Sequence, residues 1–518
     1  MRRIKHLFRL ILCLFCMLLT SCSLFDMLGT SEDKTPIVLG EYAGQRINLS
    51  MVSRASGIIP LASTGNQKIL VIPVCFSDFT LSKLNLNNNI VKSNLNKAFF
   101  GEAEETGWES VSSFYDKSSY GKLKIEGKVS DVITLSYKLS DVVNHFSDES
   151  YYDSSYMVVE QACVKYKENN SDYLDFDQDK DGYLDGVWIV YLNPYLDPDT
   201  LSWYQANDKN FISNDYTYSA QNLLWAYTYW DFDTSRNTMS PNPFAYCFGS
   251  YEFLWDKEYL SDNKTKLVDA HTFIHETGHL LGLDDYYSYD EHEYIYSPVG
   301  SIDMMDNNVG DHNSYSKYLL DWISPKIIKE AGRYTLNSFQ LNGEALLVPA
   351  NINSFNDSPF NEYLLLEFYT PDGLNYGDSK EKYANDIILP NQCGVKIYHV
   401  DSRLGLYKYS IFTGSYRFTN FTNTYYNTND KFVKIVASNT PSYSDSGDLL
   451  INLLSASNNA KKGYVYSNRL NGNAMYLDLF TESSKISKFL FNSALYLDYE
   501  ITFENMTSTS IDVVFTVK

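Results

Sequence analysis

Residues 271–285 read HTFIHETGHLLGLDD, and this stretch carries the strongest chemical signal in the chain. His275 and His279 are four positions apart, so on an α-helix both imidazoles project from one face. Two imidazole nitrogens placed in this way can bind one Zn2+ and leave coordination positions open. The alternative is a surface helix whose two histidines are hydrogen-bonded to neighbours. We predict a helix over residues 267–282 that supplies two zinc ligands.

The residues next to this histidine pair complete a candidate zinc centre. Glu276 follows the first histidine and can take a proton from an attacking water molecule. Gly282 allows the chain to turn sharply at the end of the helix, so that Asp285 can return as the third ligand. Asp284 competes with Asp285 for that third position. The expected ligand set is therefore His275, His279 and one of two carboxylates, with Asp285 favoured.

Further along the chain, two stretches contain residues that can serve the same centre. Residues 301–306, SIDMMD, resemble the methionine turn that metzincin-type zinc enzymes place beneath the metal, and we favour Met305 over Met304. His312 precedes a predicted helix, and it can either donate a hydrogen bond to an oxyanion or cap that helix. His271 lies one helical turn before the histidine pair, so we expect it to pack or to orient a ligand.

An acidic loop upstream is a candidate calcium site. Residues 175–185 read DFDQDKDGYLD, in which carboxylates alternate with other residues and Gly182 permits a bend. Such a loop can wrap oxygen ligands around Ca2+. The residues expected to bind Ca2+ are Asp177, Asp179, Asp181 and Asp185. Position 12 counted from Asp177 is Trp188, so the loop is not an EF-hand, and an Asx-stabilised turn without metal is the alternative.

The N-terminus has the features of an export signal. Residues 2–9 carry four basic residues and no acid, and residues 10–19 are all apolar, too few to span a bilayer as a helix. The following LTSC, residues 19–22, resembles the lipobox of bacterial lipoproteins. That resemblance implies cleavage before Cys22 and attachment of lipid to it, which anchors the chain at the bacterial cell surface or the outer face of the membrane. An ordinary signal peptide with a chance cysteine is the alternative.

Composition limits the remaining classes of function. The chain has 518 residues with 42 basic and 64 acidic side chains, a net charge of −22. This excess of negative charge argues against binding to a nucleic-acid backbone, which requires neutralisation by Lys and Arg. Apolar residues make up 44% of the sequence, enough for a well-buried core. Beyond Cys22, the mature chain has no pair of cysteines at thiolate-zinc spacing.

The pattern of apolar residues predicts an α+β fold. Buried strands are expected at 68–76 and 187–191, and helices at about 89–100 and 150–168. From about residue 331, short alternating runs indicate a mainly β region. The predicted division is a signal peptide at 1–21, a tether at 22–66, a zincin-like catalytic domain at 67–330 and a β-rich region at 331–518.

The order of these motifs resembles the immune inhibitor A family of secreted bacterial zinc metallopeptidases. The similarity covers about residues 68–405 and includes the 271–285 stretch, with Asp rather than His as its last ligand. The other similar stretches are SYGKL at 119–123, the acidic loop, DYY at 285–287, MMD at 304–306, EYLLLE at 362–367 and GVKIYHVD at 394–401. The resemblance implies a metzincin-like fold, a catalytic zinc and peptide-bond hydrolysis.

Together these observations predict a lipid-anchored zinc endopeptidase. Zn2+ held by His275, His279 and Asp285 would activate a water molecule, and Glu276 would act as the general base. A protein or peptide substrate would lie extended along an edge strand, for which residues 223–230 are a candidate. The alternative is a surface binding lipoprotein that keeps a peptidase fold without turnover.

Overall fold

The computed structural model of the protein describes residues 46–145, 151–197, 200–207, 222–232, 239–261, 264–290, 297–383, 388–456 and 479–518. The predicted signal peptide at 1–21 and the predicted lipidation site at Cys22 lie outside the described residues. Among the helices within these ranges, none is both long and apolar enough to cross a membrane.

Helices and strands alternate in the first half of the described chain, and short strands dominate the second half. The α-helices that the structure describes are α1 (Leu49–Ala55), α2 (Asn88–Phe100), α3 (Val111–Ser118), α4 (Leu139–His145), α5 (Tyr151–Asn169), α6 (Leu201–Asn207), α7 (His271–Leu280), α8 (Met304–Asn307), α9 (Ser314–Leu319), α10 (Phe339–Asn342) and α11 (Tyr376–Lys380). The strands are β1 (Gly65–Cys75), β2 (Leu123–Val129), β3 (Ile133–Thr134), β4 (Val187–Tyr191), β5 (Tyr227–Trp230), β6 (Ala245–Ser250), β7 (Tyr259–Leu260), β8 (Lys266–Leu267), β9 (Lys326–Ile327), β10 (Gly332–Asn337), β11 (Ala345–Pro349), β12 (Glu362–Tyr369), β13 (Gly394–Asp401), β14 (Leu404–Ser410), β15 (Ser415–Phe421), β16 (Asn427–Thr428), β17 (Lys431–Ile435), β18 (Ile451–Leu453), β19 (Lys485–Ile486), β20 (Tyr499–Glu504) and β21 (Ser510–Val517).

The first compact unit, Pro60–Tyr115 with Leu123–Leu281, is built on a mostly parallel sheet. Its strand order is β2-β1-β4-β6-β5, and β3 pairs with the end of β1. The pairs of β1 with β2, β1 with β4, and β4 with β6 are parallel, whereas β5 runs antiparallel to β6. Every residue of β4 and β6 is buried, as expected for parallel strands covered on both faces. Within the described residues, β5 is the last strand at its end of this sheet.

The second compact unit comprises residues 46–59, Asp116–Lys122 and the described part of Gly282–Lys518. It contains three sheets, with strand orders β18-β13-β12-β11-β9, β15-β14-β17-β16 and β10-β21-β20-β19. All residues of β12 and β13 are buried, and their antiparallel register pairs Glu362 with Asp401. The alternating run in β21 places Ile511, Val513 and Phe515 in the core that joins the first and third of these sheets.

The structure has the mixed α and β composition that the sequence predicts. Strands lie where the apolar runs predicted them at 68–76 and 187–191, and helices α2 and α5 lie at the predicted positions. The alternating runs after residue 331 are strands. The compact units follow other bounds than the predicted domains, because the predicted catalytic segment 67–330 contributes to both.

Part of the predicted tether forms structure. Residues 49–55 form α1, whose N-terminus is capped by the Asn48 side chain accepting from the Met51 amide at 2.9 Å. Leu49, Met51 and Val52 are buried in this helix. The prediction of an unstructured tether fails for this segment because its apolar residues are too short a run to show a helical period.

Candidate metal centre

Helix α7 positions His275, Glu276 and His279, and every residue of the helix is buried. The indole nitrogen of Trp188, on β4, donates to the Thr277 hydroxyl at 3.2 Å, and the Tyr115 hydroxyl donates to the Ile274 carbonyl at 2.7 Å. These contacts attach the helix to the sheet through Trp188 and to α3 through Tyr115. The rings of His275 and His279 have centroids 4.9 Å apart and planes at 84°.

The chain leaves α7 through a left-handed glycine, as the sequence predicts. The Leu281 amide donates to the carbonyls of the last turn, and Gly282 has φ +92°. The predicted helix, 267–282, is therefore four residues too long at its N-terminus and two residues too long at its C-terminus. Residue 267 belongs to β8 instead.

The structure brings His275, His279 and Asp285 together, with one ligand atom from each within 4.8 Å of the others. All three side chains are buried. The Tyr289 hydroxyl donates to Oδ2 of Asp285 and holds that carboxylate. Asp284, the competing candidate, does not belong to this group of three. The geometry thus favours Asp285 as the carboxylate of the cluster.

The donor set fits a zinc ion. Two imidazole nitrogens and one carboxylate oxygen form a ligand set that Zn2+ takes in catalytic sites with three protein ligands. Ligand atoms on a tetrahedral ion with bonds of about 2.0–2.1 Å lie about 3.4 Å apart. Separations of up to 4.8 Å in the cluster therefore require only small side-chain movements.

Glu276 is held by a residue that the sequence alone did not indicate. The Thr228 hydroxyl, on β5, donates to the Glu276 backbone carbonyl at 2.8 Å and lies 3.2 Å from Oε2 of its carboxylate. Cys247, on the neighbouring strand β6, has its sulfur 3.1 Å from the same hydroxyl. All three side chains are buried. Thr228 therefore fixes the position of the Glu276 carboxylate from the last strand of the sheet.

The methionine pair lies in a short helix in which Met304, Met305 and Asp306 are buried. The Asp303 side chain caps α8 by accepting from the Met305 amide at 2.9 Å, and it also accepts from the Asn313 side chain at 2.8 Å. Burial raises the pKa of Asp303 to about 6. The Met305 carbonyl accepts from the Tyr286 amide at 2.8 Å, so Met305 is joined to the residue directly after Asp285.

His312 is buried and does not cap the helix that follows it. Asn313 caps α9 by accepting from the Ser316 amide at 3.0 Å. The His312 ring instead lies 5.9 Å from the Trp322 ring, centroid to centroid. The helix-capping alternative is therefore wrong. Asn313, one position later, has the extended backbone of an N-cap residue, and its side chain makes the capping hydrogen bond. The hydrogen-bonding role proposed for His312 stays a prediction.

His271 is held in a pocket of aromatic rings. Its ring stacks on Trp108 with centroids 4.1 Å apart, and its Nδ1 lies 2.6 Å from Oδ1 of Asp269. Burial and the neighbouring Asp269 raise the pKa of Asp256 to about 8. The Asp256 carboxyl accepts from the Thr272 hydroxyl at 3.4 Å. His271 thus packs against Trp108 at the start of α7, as expected, and it does not belong to the cluster of His275, His279 and Asp285.

The SYGKL stretch at 119–123 contributes to a buried ion pair. Lys317, on α9, lies 2.6 Å from Asp311, and both side chains are buried. The Ser118 hydroxyl donates to Asp311 at 2.5 Å, and Lys317 donates to the Tyr120 hydroxyl at 3.1 Å. Burial lowers the pKa of Lys317, against the opposing effect of Asp311. This stretch therefore stabilises the start of α9.

The acidic loop forms a second cluster with different properties. One ligand atom from each of Asp177, Asp179 and Asp185 lies within 4.8 Å of the others. Asp181, whose Oδ1 accepts from the Tyr183 amide at 3.0 Å, is not among the three. Burial raises the pKa of Asp185 to about 6, with the Gln178 backbone amide opposing it. Three of the four predicted calcium residues thus come together.

Comparison with known proteins does not assign the chain to a family. No family model matches the chain, and no curated protein matches it. The resemblance to the immune inhibitor A family therefore rests on the sequence motifs and stays a prediction.

Proposed function

We propose that the protein is a lipid-anchored, cell-surface zinc endopeptidase with a metzincin-like catalytic domain. The observation that carries this proposal is the buried cluster of His275, His279 and Asp285, with ligand atoms within 4.8 Å. Glu276 lies on the same helix, between the two histidines in sequence. Zinc-dependent hydrolysis of an amide requires two imidazole ligands, a third ligand such as a carboxylate oxygen, and an adjacent carboxylate as the base.

Each residue of the centre has a distinct role in this proposal. His275, His279 and Asp285 would hold the ion, and bound zinc would supply the Lewis acidity that makes water nucleophilic near neutral pH. Glu276 would take the proton of the attacking water and deliver it to the leaving amine. Thr228 would keep the Glu276 carboxylate aligned, because its hydroxyl lies 3.2 Å from Oε2.

The substrate would bind as an additional strand. β5 pairs with β6 on one side only among the described residues, and Thr228 lies within it. An extended peptide beside β5 would form main-chain hydrogen bonds with this strand. The predicted edge at 223–230 is thus narrowed to Tyr227–Trp230, next to the residue that holds Glu276.

The experiment uses three versions of residues 23–518, a range that contains every described residue. They are the parent chain, the Glu276→Gln variant and the Glu258→Ala variant. Each is incubated with casein and a mixed peptide library, with and without a zinc chelator, and its zinc content is measured. We expect one zinc per parent chain and chelator-sensitive cleavage. Loss of the general base should lower cleavage about 10²–10⁴-fold while zinc is retained.

Glu258 is the matched control, because it is an exposed glutamate in the same compact unit. Its replacement should leave cleavage unchanged. Zinc bound by the parent without any cleavage would favour the binding-lipoprotein alternative. A parent chain that binds no zinc would contradict the ligand assignment itself.

A further inference from the structure

The hairpin of β14 and β15 carries the two most exposed large apolar side chains of the described chain. Ile411 is 82% exposed and Phe412 is 94% exposed, and both lie in the loop that joins the two strands. The loop is closed by the Gly414 amide donating to the Ser410 carbonyl at 2.8 Å. Two adjacent apolar side chains at such a tip gain nothing from the fold, and exposed apolar groups of this kind mark interaction sites.

The residues behind this tip form two further layers. Tyr409 and Tyr416 are cross-strand partners, and their rings meet edge to face with centroids 5.3 Å apart. One position farther from the tip, Lys408 pairs with Arg417 on β15 and with Lys431 on β17. Cross-strand partners in an antiparallel sheet point to one face, so these three cations form a row. From the tip along the two strands, the side chains are therefore first apolar, then aromatic and then cationic.

The charge of this segment differs from that of the chain. Residues 404–435 contain four basic residues and one acidic residue, although the whole chain has a net charge of −22. The fourth basic residue, Lys434, lies 3.4 Å from Asp445. The hairpin thus places positive charge next to exposed apolar residues in a strongly acidic protein.

We propose that this hairpin inserts its tip into the interface of an anionic lipid bilayer. Ile411 lies three positions after Lys408, a distance of roughly 10 Å at the rise of a strand. Interfacial anchors bury their apolar groups about 5–10 Å deep, with aromatic rings at headgroup level and cations at the phosphates. The spacing of the three layers matches that depth. A protein partner would require neither the cation row nor this order.

The supporting strands make the tip rigid enough to insert. β14 is flanked by β15 on one side and β17 on the other. Tyr407, on β14, stacks on Phe432 with centroids 5.4 Å apart and contacts Phe418 at 5.8 Å. The proposal is independent of zinc, of catalysis and of the predicted lipid on Cys22, and it would give an anchored chain a second contact with the membrane.

The test measures co-sedimentation of residues 23–518 with vesicles of phosphatidylcholine, with and without phosphatidylglycerol. We expect the parent to bind the anionic vesicles more tightly and to lose binding as salt is raised. Ile411→Ser with Phe412→Ser should weaken partitioning at least about tenfold on both vesicles. Lys408→Gln with Arg417→Gln should weaken it about 30-fold on anionic vesicles alone, since each cation contributes about fivefold.

The matched control is Leu341→Ser with Tyr496→Ser, an exposed aliphatic and an exposed aromatic residue in the same compact unit, 67% and 68% exposed. This pair should bind vesicles like the parent, and all variants should melt at the parent's temperature. No vesicle binding by the parent would overturn the proposal. If the double variant at Ile411 and Phe412 bound vesicles as tightly as the parent, the proposal would be overturned too. If that variant also cleaved casein differently from the parent, the tip would be a protein-docking site.

Discussion

The two clusters of side chains that could hold a metal ion are built in opposite ways. The cluster of His275, His279 and Asp285 is buried, and it is assembled by a helix and the glycine turn that follows it. The acidic loop assembles Asp177, Asp179 and Asp185 from one short stretch, and Asp179 is exposed. In the first cluster the surrounding packing fixes the ligands, whereas in the second the loop itself must hold them.

This difference has an energetic consequence. A buried carboxylate loses its hydration and is stable only with partners that compensate for that loss, and a bound cation is the strongest of them. In the acidic loop Asp179 is exposed, and Asp177 and Asp185 are half-buried, so these carboxylates keep more of their hydration and a bound cation gains less. Removal of metal should therefore affect the buried cluster far more than the acidic loop.

The largest effect is expected for His279→Ala. The variant removes one of two imidazoles from the cluster, so we expect zinc affinity to fall by much more than about 100-fold, the upper effect of losing an outer-sphere partner. Zinc should also stop raising the melting temperature of the chain. The measurements are zinc content after dialysis and thermal unfolding with and without zinc.

His145→Ala is the control, because it replaces a half-buried histidine that lies outside the cluster. It should bind zinc like the parent. If His279→Ala kept its zinc, the buried cluster would not be the metal centre, and the contrast with the acidic loop would disappear.

A smaller effect is expected for Thr228→Val, which removes the hydroxyl beside Glu276 with little change in shape. The variant should retain zinc, and kcat should fall about tenfold with KM nearly unchanged, because a misaligned base affects the transition state more than substrate binding. Thr228→Ser should recover most of the activity, since it keeps the donor. An unchanged kcat in the valine variant would show that Glu276 is positioned without Thr228.

The sequence predicts the buried cluster well for a simple reason. Its three ligands lie within eleven consecutive residues, and helical spacing and a glycine decide their arrangement. Thr228 lies 48 residues away from Glu276 in sequence, and only the pairing of β5 with β6 brings it there. Trp108 reaches His271 through a contact that is longer-range still. Local patterns carry no signal for such partners.

The same limit applies to the fold. The continuous apolar run at 187–191 is correctly predicted as a strand, because every residue of β4 is buried and burial of a whole strand leaves a continuous signal. The bounds of the compact units were not predictable, since the segment Asp116–Lys122 groups with residues far along the chain. In the acidic loop, the alternation of carboxylates predicts four ligands, and the cluster contains three of those residues without Asp181.

The smallest effect is expected at the acidic loop itself. Ca2+ should raise the melting temperature of the parent, with a stabilisation of about 2.7 kcal/mol when its concentration is 100 times Kd. Asp185→Asn should abolish this increase, because it removes one of the three clustered carboxylates. Asp181→Asn should retain most of it, since an amide oxygen can still accept from the Tyr183 amide. If both variants lost the increase in melting temperature equally, the loop would bind the ion with all four residues. If Ca2+ had no effect on the melting temperature of the parent, the cluster would be a turn without metal.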